Sequence, residues 1–210
     1  MANNGYNPER HHRRSIRLLG YNYANAGSYF VTVCLNRRIP KIWRYNSQLD
    51  WNFKFPTFGI IENEMMILND AGKMVQQAWH EMREHYSNIE INEFIVMPDH
   101  THGIITITDP NNVGVGAAHR GCPYPNTPSH SPPRSKGSLP QLVHYLKTRT
   151  TNKYADGVKI QNWQRFDKRL WQRNYYESII RNDTKYAIIA QYIRNNPILW
   201  QKEHMNAILR

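Results

Sequence analysis

Four residues in the second half of the chain have the types and spacing of a catalytic site. His100 and His102 are separated by one residue, and Tyr192 and Asn196 by three. Side chains alternate faces along a β-strand, so both imidazoles would point the same way and could share one ion. Residues four apart on a helix are neighbours, which would place the Tyr192 phenol beside the Asn196 carboxamide. If that helix lies against the strand, a metal site with a hydroxyl nucleophile at its edge results.

A site of this composition suits the cleavage of phosphodiester bonds. That reaction requires a nucleophile in line with the leaving oxygen and a cation that neutralises charge on the phosphoryl oxygens. Imidazole and oxygen ligands, without thiolate, favour Mg²⁺ or Mn²⁺ over structural zinc. A phenol such as that of Tyr192 must lose its proton as it attacks, and no dedicated general base stands out in the sequence.

Each of these residues also has a plain structural interpretation. A lone His-x-His pair on a strand is more often structural or at the surface than catalytic. Tyr192 could equally be a half-buried helix tyrosine, and Asn196 the C-terminal residue of a helix before a proline. By proximity alone, the rival nucleophiles are Tyr175, Tyr176 and Tyr186.

Hydrophobic patterns predict the strands that would position these side chains. Residues 28–35 form a short apolar run typical of a buried strand. Two further strands are expected over 89–97 and 100–108, joined by a turn at Pro98 and Asp99, so the histidines open the second strand of a hairpin. Two more extended segments follow from composition: a small hairpin within 58–68 and a strand within 170–180.

Three helices are expected around these strands. The first spans 71–86, where apolar residues recur at helical spacing, and the second spans 138–154. The last carries Tyr192, and Pro197 should end it near Asn196. Polar residues suited to helix N-caps precede all three: Asn69 or Asp70, Ser138 with Gln141 in a capping box, and Asn182 or Asp183.

The order strand, helix, strand, strand, helix, strand, helix indicates a ferredoxin-like α+β fold. It is an antiparallel sheet with flanking helices and an extra C-terminal helix that carries the tyrosine. One catalytic domain over 15–200 accounts for the pattern. Residues 109–137 contain six of the twelve prolines and four glycines, so a disordered insertion is expected there. Residues 1–14 are expected to form a flexible basic arm, and 201–210 a tail.

The charge of the chain indicates a polyanionic partner. Lys and Arg number 27 against 16 Asp and Glu, a net charge of +11, and residues 138–181 carry nine basic and three acidic side chains. Thirteen tyrosines and six tryptophans are interleaved with this charge, which suits exposed bases. A solvated tail and a solvent-facing stripe are the alternatives. The residues expected to contact DNA are Arg13, Arg14, Arg17, Lys147, Arg149, Lys153 and Arg173.

Other features of the sequence concern the cellular location of the protein and the classes of chemistry it can perform. Two cysteines provide no disulfide framework, which fits a reducing cytoplasm and, for a protein that binds DNA, association with the nucleoid. No apolar run approaches the roughly 20 residues that span a bilayer, so no membrane partner is expected. The sequence also lacks a glycine-rich phosphate-binding motif, which argues against nucleotide-driven chemistry.

Three stretches together resemble the REP-associated tyrosine transposases of bacteria, which belong to the HUH superfamily of single-stranded-DNA nucleases. They are RRSIRLLGYNYANAGSYFVTVCL, FIVMPDHTHGIIT, and WQRNYYESIIRN followed by YIRNNP. They are distributed from about Arg13 to Trp200, so the resemblance covers nearly the whole chain. Each stretch alone is a weak signal, but their order and spacing make a strong one.

The resemblance implies the roles of the four residues introduced above. His100, His102 and Asn196 would hold a divalent metal, and Tyr192 would be the nucleophile that becomes covalently linked to DNA. The one departure from the family pattern is Thr101, between the histidines, where a large hydrophobic residue is usual. Threonine is β-branched and suits a strand.

The function expected from these features is that of a metal-dependent transposase. It would nick and rejoin single-stranded or hairpin DNA, as a monomer or homodimer, through a 5′-phosphotyrosine and a free 3′-hydroxyl. One alternative is a domesticated DNA-hairpin-binding protein that no longer catalyses transposition. Another is a metal-dependent phosphodiesterase that uses water and leaves no covalent protein–DNA adduct.

Overall fold

The computed structural model describes residues 17–18, 20–36, 56–108 and 135–208. The basic arm expected over 1–14, with Arg13 and Arg14, lies outside the described residues. Most of the insertion expected over 109–137 lies outside them as well, so both interpretations stay predictions.

The order of strands and helices expected from the sequence is confirmed. None of the helices in the described ranges has an apolar stretch of the length needed to cross a bilayer. The strands are β1 (Gly27–Cys34), β2 (Gly59–Glu62), β3 (Met65–Leu68), β4 (Ile89–Val96), β5 (His100–Ile107) and β6 (Tyr176–Ile180), and the helices are α1 (Asp70–His85), α2 (Leu139–Ile160) and α3 (Asp183–Ile208).

Four strands form one antiparallel sheet in the order β4, β5, β1, β6. The hairpin partners β4 and β5 are adjacent, and β1 lies between β5 and β6. With α1 and α2 as the two crossover helices, this is the strand order of a ferredoxin-like α+β fold. Strands β2 and β3 form a separate hairpin.

The two faces of the sheet have different cores. On β1, Tyr29, Val31 and Val33 point to one face and are buried in the main core with α1 and α2. Because side chains alternate, Phe30 and Thr32 point to the other face. Helix α3 covers that second face through a smaller cluster of buried residues: Ala190 and Ile193 of α3 with Ile104 and Ile180 of the sheet.

The helix end expected near Asn196 is wrong, because α3 runs on through Pro197. A proline inside a helix removes one hydrogen bond and costs about 3 kcal/mol. Contacts made after the proline offset that cost, among them the packing of Trp200 on His100, with ring centroids 5.5 Å apart. The tail expected over 201–210 is therefore helical as far as residue 208.

The β2–β3 hairpin also supports the second half of α3. Its two-residue turn, Asn63 and Glu64, has φ angles of 49° and 62°. Two consecutive left-handed residues are typical of the turn type whose twist matches that of the flanking strands. The backbone N–H of Glu64 donates to Gln201 Oε1 at 2.7 Å, which ties the turn to the helix.

The end of the segment expected to be disordered is packed. Ser135 forms a bridge with Tyr86 at the end of α1. The backbone N–H of Gly137 donates to Asn88 Oδ1 at 2.8 Å, and Asn88 Nδ2 donates to the Gly137 carbonyl at 3.1 Å. Residues 135–137 thus belong to the folded domain.

Candidate active site

His100 and His102 lie on the α3 face of the sheet, as their spacing on β5 predicts. Their Nε2 atoms are 3.0 Å apart. The other ring nitrogen of each, Nδ1, contacts an oxygen: Asp99 Oδ1 lies 2.7 Å from His100, and Thr32 Oγ1 lies 2.8 Å from His102. Both Nδ1 atoms are therefore engaged by the protein, and both Nε2 atoms face a shared point.

Thr32 reaches His102 because of the sheet register. The pairing of β1 with β5 sets Thr32 directly opposite His102 and Cys34 opposite His100. Directly opposed residues of an antiparallel pair project to the same face with their Cβ atoms about 5 Å apart. A hydroxyl on β1 is thus held beside an imidazole that is 70 residues away in the sequence.

The donor set of this pair fits a divalent cation. Two ligands at right angles around an octahedral ion, each about 2.1 Å from it, lie about 3 Å apart, and the Nε2 atoms are 3.0 Å apart. Metal-binding histidines usually hold their second ring nitrogen on an oxygen of the protein, as Asp99 and Thr32 hold it here. Among the described residues, no cluster of three His, Cys, Asp or Glu side chains could hold a metal ion. A third ligand from the described part of the chain would therefore be of another type, such as a carboxamide.

His102 is buried in a form that can serve as a ligand. Burial, together with the neighbouring His100, lowers the pKa of His102 to about 3, so the ring is neutral at physiological pH. A neutral ring whose Nδ1–H donates to Thr32 Oγ1 leaves the Nε2 lone pair available. In the other tautomer, Nε2–H donates to His100 and the Thr32 hydroxyl donates to Nδ1. The Thr32 hydroxyl satisfies both tautomers by rotation alone.

Helix α3 places three side chains above the histidines, one helical turn apart. The ring centroid of Tyr192 lies 5.3 Å from that of His102, and Trp200 contacts His100. Asn196 lies between Tyr192 and Trp200, one turn from each, and is buried. Tyr192 itself is 42% exposed, so its phenol is open to a large substrate. Tyr192 is thus brought to the histidine pair, and Asn196 follows it one turn later on the same helix.

Phe30 connects the nucleophile candidate to the histidine pair. Its ring stacks on His102, with centroids 5.4 Å apart and planes 26° from parallel. The edge contact with Tyr192 has centroids 6.1 Å apart. Sequence reasoning did not select Phe30, Thr32, Asp99 or Trp200. The alternation along β1 would have placed Phe30 and Thr32 on one face, but not opposite the histidines.

The strand that carries the histidines is held from behind by aromatic side chains. A Cβ atom at Gly103 would lie 2.5 Å from the Trp79 ring and 3.0 Å from Phe94. Trp79 and Phe94 stack on each other with centroids 4.2 Å apart. Thr101 is 1% exposed on this same face of β5. The position of His102 therefore depends on the close packing of Trp79 against its neighbour Gly103.

Replacing Gly103 by alanine should destabilise the fold. Overpacking of this kind costs about 1–3 kcal/mol, and the melting temperature of a domain of this size falls by about 2–4 °C per kcal/mol. Thermal denaturation measures the change. The double variant Gly103→Ala, Trp79→Phe should lose less stability than the sum of the two single variants, because the contacting ring atoms are gone. A Gly103→Ala protein with the same melting temperature as the unmodified protein would contradict the packing argument.

The three basic residues of α2 that were expected to contact DNA have partners within the protein. Arg149 and Lys153 both pair with Glu81 of α1, at 3.2 and 2.8 Å. They project from α2, which packs on the face of the sheet opposite to the histidines. The ammonium of Lys147 donates at 3.0 to 3.2 Å to three successive backbone carbonyls, those of Gln172, Arg173 and Asn174.

Arg17 and Arg173 lie at the β6 edge of the sheet. The guanidinium of Arg17 donates to the Tyr175 hydroxyl at 3.1 Å and lies over the ring of Tyr23. It also pairs with the buried carboxylate of Glu177 at 3.9 Å. Arg173 is exposed, in the segment that Lys147 holds. Both cations are exposed.

Comparisons with known proteins give one relative and one solved structure of note. No family model matches the sequence. An uncharacterized protein of Haemophilus influenzae is 34% identical over 203 residues, which cover 95% of this chain and 96% of that protein. A solved structure of a REP-associated tyrosine transposase bound to a REP hairpin matches 89% of this chain and 73% of its own chain, with 19% identity and a TM-score of 0.48.

Proposed function

The chain belongs to the same family as the uncharacterized Haemophilus influenzae protein, and we propose that it cleaves and rejoins single-stranded DNA through Tyr192 with the help of a divalent metal. One observation carries this proposal. The Tyr192 ring lies 5.3 Å from that of His102, whose Nε2 atom is 3.0 Å from Nε2 of His100. The motifs that resemble REP-associated tyrosine transposases favour the same function, with hairpin-containing DNA as the substrate.

His100, His102 and Asn196 would hold the ion, which we propose to be Mg²⁺ or Mn²⁺. When bound, such an ion neutralises the charge of the scissile phosphate. Asp99 and Thr32 fix the two imidazole rings through their Nδ1 atoms. The buried carboxamide of Asn196 would contribute its oxygen, a donor that both ions accept.

Tyr192 supplies the nucleophile in this proposal. Its phenolic oxygen bonds to phosphorus while the bond from phosphorus to the 3′ oxygen breaks, and the phenolic proton ends on that 3′ oxygen. The products are a 5′-phosphotyrosine and a free 3′-hydroxyl. One phosphate ester replaces another, so attack by a 3′-hydroxyl can rejoin a strand without an energy source.

A denaturing gel tests the proposed function. The protein is incubated with Mn²⁺ and a set of single-stranded hairpins with randomised flanks, labelled at the 3′ end. A labelled band at the mass of the protein that resists boiling in detergent and disappears with protease is the expected result. Cleavage without that band would indicate a phosphodiesterase that uses water, and binding without cleavage would indicate a DNA-hairpin-binding protein.

Replacing Thr32 by valine should weaken metal binding. Valine keeps the branched shape on β1 but cannot hold Nδ1 of His102, and loss of such a partner typically costs about 10- to 100-fold in metal affinity. Titration with Mn²⁺, followed by the electron paramagnetic resonance signal of the free ion, measures the affinity. Thr32→Ser restores the hydroxyl and should recover most of the loss. Equal affinity in the valine variant and the unmodified protein would show that the contact has no role in ligand positioning.

A further inference from the structure

Tyr176, the first residue of the edge strand β6, lies in the same row of the sheet as His102. The register pairs Tyr176 with Thr32, and Thr32 with His102. Directly opposed residues in an antiparallel sheet project to the same face. Since neighbouring strands are about 4.8 Å apart, the Cα atom of Tyr176 is about 10 Å from that of His102. Its ring therefore stands on the face that carries the histidines and Tyr192.

The ring of Tyr176 is open to solvent. It is 61% exposed, whereas the adjacent Tyr175 is 9% exposed and belongs to the main core. Strand β6 is at the edge of the sheet, so no further strand covers its outer side within the described part of the chain. The side chain makes no hydrogen bond or ring contact with any other described residue. An exposed aromatic face is thus available about two strands away from the proposed ion site.

One cation lies on the site face of β6, and a second precedes the strand in the sequence. Ser178 lies two residues further along β6 and points the same way, and Lys185 of α3 donates to its hydroxyl at 3.1 Å. Arg173, three residues before Tyr176, is exposed. The nearest carboxylate in the sequence, Glu177, projects to the opposite face, where Arg17 pairs with it. An aromatic platform beside cations is the arrangement that proteins use to bind single-stranded nucleic acid.

We propose that Tyr176 is a stacking platform for one base of the single DNA strand that enters the active site. The inference rests on the proposed function, which makes single-stranded DNA the ligand. The Cα atom of Tyr176 is about 10 Å from that of His102, so the stacked base would lie close along the strand to a phosphate held at the histidines. Every base has a flat face, so this subsite holds the strand without selecting its sequence.

The test measures the affinity for a fluorescein-labelled oligothymidylate by fluorescence anisotropy, in EDTA so that cleavage does not intervene. Tyr176→Ala should weaken binding on the order of tenfold, which is typical of the loss of one stacked base. The slope of affinity against salt should stay the same, because no charge is removed. Tyr176→Phe keeps the ring and should bind like the unmodified protein. Ile160→Ala removes a side chain that is 79% exposed on α2 and should have no effect.

Two outcomes would overturn the inference. The first is unchanged affinity in Tyr176→Ala, with a circular dichroism spectrum like that of the unmodified protein. The second is an equal loss in Tyr176→Phe, which would show that the hydroxyl makes the contact. The adduct assay separates this inference from the proposed function. If the unmodified protein forms the adduct but Tyr176→Ala binds DNA with unchanged affinity, only the stacking role of Tyr176 is disproved. If Tyr176→Ala binds more weakly but the unmodified protein forms no adduct, only the proposed cleavage reaction is disproved.

Discussion

Replacing Tyr192 by phenylalanine should abolish the covalent protein–DNA adduct and leave folding and DNA binding intact. Only the attacking oxygen is removed, while the ring contacts with Phe30 and His102 remain. Loss of a nucleophile typically lowers catalysis by three or more orders of magnitude. The change is at an exposed atom, so the free energy of unfolding should shift by no more than about 0.5 kcal/mol. The adduct band on a denaturing gel and the melting temperature measure the two effects.

Tyr176→Phe is the matched control for this variant. It removes a tyrosine hydroxyl from the same face of the sheet, but one that lies about two strands from His102 rather than against it. Its adduct should form as in the unmodified protein. An adduct that persists in Tyr192→Phe, or that maps by peptide mass to Tyr175, Tyr176 or Tyr186, would disprove the assignment of the nucleophile.

Removing one histidine of the pair should have the second large effect. His100→Ala or His102→Ala deletes a proposed ligand of the ion. Loss of a residue that only holds a ligand in place typically costs about 10- to 100-fold in metal affinity. Loss of the ligand itself should lower metal affinity and cleavage by more than that. DNA affinity should change little, because contacts to phosphates dominate it. Cleavage as a function of Mn²⁺ concentration, and anisotropy in EDTA, measure the two quantities.

His102 is buried against Phe30, so its replacement also creates a cavity. His102→Leu fills more of that space and offers the ion no donor atom, so it separates loss of the ligand from loss of packing. It should bind Mn²⁺ as poorly as the alanine variant while melting closer to the unmodified protein. Full cleavage in EDTA by the unmodified protein would contradict the role of a metal altogether.

The parts of the site that follow from local periodicity were predictable. His100 and His102 share a face because a strand repeats every two residues. Tyr192 and Asn196 share a face because a helix nearly repeats every four. The N-caps at Asn69 and Asn182 follow equally local rules, and their side chains accept from the backbone N–H groups three residues later, those of Gly72 and Lys185.

The parts that depend on register between distant segments were not predictable. Thr32 meets His102 because β1 pairs with β5 in one particular alignment, and a shift by one residue would turn the threonine to the other face. Nothing near Thr32 in the sequence specifies that alignment. The same applies to Lys147, which the charge pattern indicated as a DNA contact but which binds the carbonyls of 172–174.

Pro197 shows how a local rule loses to tertiary contacts. Proline disfavours helix at the residue before it, and the sequence offers no opposing signal. The helix continues because Trp200 packs on His100 and Gln201 accepts from the Glu64 backbone. Both partners lie 100 or more residues earlier in the chain, so the sequence near Pro197 carries no sign of these contacts.

The unequal size of the two cores has a consequence for how the site opens. Helix α3 is anchored to the sheet by Ala190 and Ile193 against Ile104 and Ile180, whereas the sheet is bound to α1 and α2 by a much larger cluster. Each buried aliphatic side chain contributes about 1.5–3 kcal/mol, so release of α3 costs far less than global unfolding. We therefore expect the nucleophile and the histidines to belong to different cooperative units. In native-state hydrogen exchange, the amides of α3 would exchange before those of β5, and the tyrosine could leave the histidines while the sheet that orients them stays folded.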